Sequence, residues 1–159
     1  MSFNVNEQDK ELINAAISYV RQGLEAQAYL IFSGQKDMKE PAALFAFGLC
    51  HFHAEDFTAA IPCFEQAIKF LKAVPTVTRT AAENSESYIN LYKKQIEAKT
   101  YLMPMTSDFC AMFPKVAEQN ILLALIDTYM CMNMTEQAQR LASGLTGPVF
   151  ETYKNKLRS

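Results

Sequence analysis

Glycine and proline are scarce in this chain, with five and six among 159 residues, so it has few natural breaks and little room for long disordered stretches. Histidine is scarcer still, and both copies, His51 and His53, fall in the run Cys50-His51-Phe52-His53. On a helix, Cys50 and His53 share a face with Asp56 one turn on, but helical spacing supplies at most a pair of metal ligands where a zinc site needs three or four. Four cysteines stand far apart on apolar stretches without a CxxC, which reads as reduced, buried thiols in a cytoplasmic protein. Charge is nearly balanced, at −2 with a pI near 5.7, so no basic face is expected for nucleic acid and no basic amphipathic stretch for a membrane surface. The longest purely apolar run, Ala42 to Cys50, is far too short to span a bilayer. The opening MSFNVNEQDKE has neither a basic leader nor an apolar core and is not expected to be a signal peptide. Glycine-rich phosphate loops, His-Glu-x-x-His and Gly-x-Ser-x-Gly are all missing, so neither a catalytic centre nor a cofactor is expected.

What the chain does have is an ordered recurrence of small and large apolar residues. Half its residues are apolar, and its length suits one domain, 1–159. Between Pro41 and Val74 the order is Leu44, Phe47, Gly48, His51, then Ala60, Phe64 and Ala67. Gly48 and Ala60 lack bulk and let two helices approach, while Leu44, Phe47 and Phe64 fill the space beside them. Asp56, between the two periodic runs, is the expected N-cap of the second helix. Leu12, Ala16, Ala28 and Phe32 match Leu44, Gly48, Ala60 and Phe64 from 32 positions earlier, with Tyr19 in place of His51. Leu122, Leu125, Ile126, Tyr129, Ala138, Ala142 and Leu145 match the whole set from 78 positions later. Gly23 marks the turn of the first unit, and a helix from about Leu24 to Phe32 should stop near Gly34.

The intervening segment is less regular. Val74-Pro75 should break the helix before it. Thr78 to Leu102 then reads as one long helix, with Tyr88, Leu91, Tyr92, Gln95 and Ile96 at helical spacing. Met103 to Pro114 reads as an apolar loop or short helical turn that must pack on something. Pro62 should kink its helix without ending it. Thr135 is the expected N-cap of the late second helix, Gly144 or Gly147 its stop, and Pro148 the start of a final helix reaching Leu157. Its polar side, Glu151, Lys154, Asn155 and Arg158, suits a solvated outer face. Six methionines, Met103, Met105, Met112, Met130, Met132 and Met134, crowd the C-terminal half, as gap-fillers or as an adaptable surface.

The run Leu-x-x-Phe-Gly-x-x-His followed by Ala-x-x-x-Phe-x-x-Ala resembles one tetratricopeptide repeat, with Leu44 where that family prefers Trp and His51 where it prefers Tyr. The resemblance implies an all-α, right-handed superhelix of antiparallel helix pairs with about three to four repeats and about eight helices, the third repeat irregular with an insertion. It also implies a concave face lined by the first helices: Lys10, Ile13, Ile17, Val20 and Arg21; Ala42, Phe45, Leu49, Phe52 and His53; Asn120, Leu123, Asp127, Met130 and Cys131. That face is mostly apolar and lacks the Lys, Arg and Asn with which some family members hold carboxylates. The expected function is a non-catalytic adaptor that takes an apolar helix or extended segment of another protein. One alternative is a cytoplasmic chaperone of a secreted client, similar in size and layout to the translocator chaperones of type III secretion. A second is a small enzyme using Cys50, Cys110 or Cys131. The groove's occupant is a partner, the chain's own Met103–Pro114 loop or final helix, or a second copy in a homodimer.

Overall fold

A computed structural model describes residues 2–72 and 81–159, with side chains from 7 to 72 and from 82 onward. All regular structure among these residues is helical: α1 (Ser2–Arg21), α2 (Glu25–Ser33), α3 (Pro41–His53), α4 (Phe57–Leu71), α5 (Glu86–Glu97), α6 (Ser107–Met112), α7 (Pro114–Cys131), α8 (Thr135–Ala142) and α9 (Glu151–Arg158). Short 3-10 turns sit at Ala81–Asn84, Thr100–Leu102 and Pro148–Phe150. No described helix is long and apolar enough to cross a membrane.

One backbone device recurs in the three units that the residue order marks out. Each first helix ends in a three-residue turn whose middle residue is left-handed: Gly23 (φ 81°), Glu55 (62°) and Asn133 (59°). The next amide reaches back to close the helix, Leu24 N to Tyr19 O (2.8 Å), Asp56 N to His51 O (2.9 Å) and Met134 N to Tyr129 O (2.9 Å). Tyr19, His51 and Tyr129 are the same position of the repeat. The device reverses the chain, so α1–α2, α3–α4 and α7–α8 are antiparallel pairs packed along their lengths. An added Cβ at Gly23 would meet nothing within 4 Å. Gly23→Ala should therefore cost only the left-handed backbone, about 1–2 kcal/mol, a loss that urea midpoints will show.

Inside the pairs, volumes are matched. Gly48 faces Phe64 so closely that a Cβ there would lie 2.5 Å from the ring. Ala16 and Phe32 stand at the corresponding positions of the first pair, both fully buried. The third pair reverses the sizes, with Ile126 on the first helix and Ala142 on the second in one core cluster. Total volume is conserved although neither residue is.

Several expectations need correction. Thr78–Leu102 is not one helix. The Ser85 hydroxyl caps α5 by accepting from Tyr88 N, and left-handed Lys99 (φ 56°) ends the helical run before the turn at Thr100–Leu102. Residues 78–80, like Val74-Pro75, lie outside the described residues. The third repeat is not a stacked layer: α7 packs directly along α4, and residues 81–112 leave the stack and return across the first helices. Met103–Pro114 takes the short helical form as α6, capped by the Thr106 hydroxyl, and packs on the core through Met105 and Cys110, while Met103, Met112 and Phe113 are exposed. Thr135 is the first residue of α8, and Met134 occupies the cap. Gly34 closes α2 where expected, in a right-handed conformation. Leu12 is exposed because no preceding unit covers it, whereas its counterpart Leu44 is buried. Nine α-helices lie among the described residues, against about eight expected. The Asp56 cap is present, its carboxylate accepting from Ala59 N at 3.3 Å, and α4 runs through Pro62 without ending.

Candidate functional site

The inner stripe of α7 is occupied by the chain's own returning segment and by α9. On α7, Asn120 accepts the Tyr92 hydroxyl of α5 at 3.0 Å. Seven residues on, Asp127 accepts two more phenols, Tyr101 at 2.5 Å and Tyr153 of α9 at 3.2 Å, with the Lys99 ammonium 3.7 Å away. Between them Leu123 is fully buried, in one cluster with Tyr92, Ile96 and Tyr101. On α3, the stripe residue Ala42 faces a cavity whose far wall is Ser107 and Cys110 of α6.

The expected binding ridge on α1 and α3 is not an open face either, for a different reason. Phe45 and Leu49 are fully buried, and Ile17 and Val20 nearly so, all in the main core. The reason lies in which way α3 faces. Phe45 stacks near Phe64 (ring centres 5.5 Å apart) and Phe52 near Phe57 (5.5 Å), so these rings form the contact with α4. Phe47 and His51 instead meet Tyr29 of α2, at 5.7 and 5.4 Å. Ile13 is half-buried against the same core. Met130 remains exposed. His53 lies at an edge, its Nδ1 2.7 Å from the Glu25 carboxylate, and ties α3 to α2.

Asp127 is the charged centre of this arrangement. A carboxylate with a phenol on each oxygen is well satisfied without a full countercharge. Beside it lies a cavity of about 190 Å³ walled by Ile96, Lys99, Tyr153 and Leu157, among others. Burial first, and the Asp127 charge second, push the Tyr101 and Tyr153 phenols well above their ordinary range, and burial does the same for Tyr92. These three hold their protons more tightly folded than unfolded. Their contribution is complete below the unfolded value near about 10 and is lost as pH rises above it, by up to about 1.4 kcal/mol per pH unit per tyrosine. Phenolate absorbance followed together with helical circular dichroism should show these tyrosines ionising only as the helices unfold. Ionisation at about pH 10 with the helices intact would remove Asp127 from its assigned role.

Cys50, Cys63 and Cys110 offer little nucleophilic character, and Cys131, expected to be buried, is exposed. Burial pushes Cys50 up to about 12, with Glu25 and Cys63 adding to it, and Cys63 and Cys110 up to about 11. Thiols so shifted are protonated at neutral pH. The Cys50 sulfur points at the Glu25 carbonyl, 3.8 Å away, although His53 is paired with that residue's carboxylate. Among the described residues, no three His, Cys, Asp or Glu side chains converge as metal ligands would.

Asp127 was legible as a lone carboxylate on an apolar helix. Its partners were not, since Tyr101 and Tyr153 each lie 26 residues away in sequence. No family model, curated protein or solved structure matches the chain.

Proposed function

We propose that the chain is a tetratricopeptide-like interaction module, a short superhelix of three helix pairs that acts by holding a protein segment on its inner face and not by catalysis. The observation that carries this reading is the occupancy of that face: Asn120, Leu123 and Asp127 already hold a segment of this chain, through two phenols and an apolar strip. A face able to hold residues 86–112 is able to hold a similar segment of another protein, recognised by aromatic side chains with a hydroxyl at the tip. The chain's own segment then competes with the partner, and apparent affinity falls by the fraction of molecules in which the face is free.

The test loosens the competitor. Tyr101→Phe with Tyr153→Phe removes both hydroxyls from Asp127 while keeping both rings. Affinity capture from the native cell extract should then retain the same specific protein as the parent chain, in larger amount. Retention of nothing by either form, or equal retention by both, speaks against the inner face as the binding surface.

A further inference from the structure

The returning segment does not fill the whole inner face. At the α1 end it stops short and leaves a cavity of about 430 Å³ between Lys10 and Asn14 of α1, Glu40, Pro41 and Ala42 at the start of α3, and Ser107 and Cys110 of α6. That volume lies within the range of roughly 300–1,000 Å³ common to ligand pockets. Lys10 and Ala42 occupy the same stripe position as Asn120, so the cavity continues the surface that holds Tyr92.

Glu40 is the unusual group here. Oε1 is sealed from solvent and has no hydrogen-bond donor, while the side chain as a whole is half-buried. Nor does the side chain cap its own helix. A buried acceptor without a donor is costly, so native structures seldom keep one without a use. Lys10 is too distant to form an ion pair and stands exposed in solvent. Burial pushes the Glu40 carboxyl up and Lys10 pulls it down, burial being the stronger. The other polar walls, Asn14 and Ser107, are neutral, and burial keeps the Cys110 thiol protonated. The cavity thus has one cation, Lys10, exposed at its rim, and one carboxylate, Glu40, whose Oε1 is sealed into the wall without a donor.

We infer that this cavity is a subsite for a basic side chain, lysine or arginine, presented by the partner segment. It rests on the reading of the inner face as the binding surface and adds to it the chemistry of one anchor. The ammonium or guanidinium supplies the donors that Glu40 lacks, and the aliphatic stem lies along Pro41 and Ala42. A partner that fits both ends carries an aromatic hydroxyl for Asp127 and a cation for Glu40.

The test is an amide NMR titration of the full chain at low salt with N-acetyl-argininamide and N-acetyl-lysinamide, with N-acetylglutamate as the anionic control. The two cations should give saturable shifts at Lys10, Asn14, Ala42 and Ser107, and the anion none. Glu40→Gln, which removes the carboxylate and keeps the shape, should weaken binding at least about tenfold. Lys10→Ala, which removes a repelling charge at the rim, should tighten it about two- to fivefold. Absence of saturable shifts, an equal response to N-acetylglutamate, or unchanged affinity in Glu40→Gln overturns the inference. If the cations fail to bind while the Tyr101→Phe, Tyr153→Phe chain still captures its partner, the basic anchor falls and the inner-face reading stands.

Discussion

Gly48→Leu should destabilise the fold by about 3 kcal/mol or more, the outer part of the range for overpacked cores, and lower the melting temperature of a chain this size by roughly 10 °C. A Cβ at this position would lie 2.5 and 2.7 Å from two carbons of the Phe64 ring and 3.2 Å from the Cys63 Cβ. Phe64 is fully buried and also in contact with Phe45, so its ring has nowhere to turn. Replacing a mid-helix glycine gains about 1 kcal/mol of helix propensity, which the clash outweighs. Two comparisons keep the explanation local. His53→Ala breaks one partly exposed pair with Glu25 and should cost about 0–1 kcal/mol. Gly48→Leu combined with Phe64→Ala should recover much of the loss, since it copies the size reversal that Ile126 and Ala142 make in the third pair. A double variant no better than the single one would mean that Phe64 is not the obstacle.

That size reversal explains what could be read in the sequence and what could not. Helix–turn–helix units announce themselves locally: Gly48 opposite Phe64, Asp56 before a periodic run and Gly23 in a turn each imply their neighbours within a few residues. Glu55 and Asn133 take the same left-handed turn as Gly23 with no glycine to signal it. The return of residues 81–112 across the inner face is a long-range event. Nothing in the helical spacing of Tyr88, Tyr92 and Ile96 says that they pack on α7 and not on α4. Lys99 breaks the helix in a left-handed conformation that lysine gives no reason to expect. The direction of α3 was equally hidden, because nine of its thirteen residues are buried and an all-round apolar helix has no periodic face to read. Placing Phe45 and Leu49 on an open groove followed from register alone, and register does not reveal what covers a face.

Phe45→Asp separates a covered face from an open one more sharply than any other change. Phe45 is fully buried, and its ring lies 5.5 Å from that of Phe64. Removing the ring costs about 3–5 kcal/mol in lost burial and cavity. The carboxylate put in its place must shed its hydration shell inside an apolar cluster, which costs several kcal/mol more or forces it to stay protonated. The sum approaches or exceeds the roughly 5–15 kcal/mol that holds a domain together, so the variant should be largely unfolded by circular dichroism at neutral pH. It should recover helix as the pH falls and the new carboxyl takes up a proton, because its folded value is raised far above its unfolded one. Phe113→Asp is the counterpart, placing the same charge on a side chain that is 46% exposed beside Met112 at 57%. It should fold and melt within about 1 kcal/mol of the parent chain, as surface changes usually do. If Phe45→Asp instead keeps its helix content and melts like Phe113→Asp, then Phe45 lies on an open ridge and α3 is turned toward solvent.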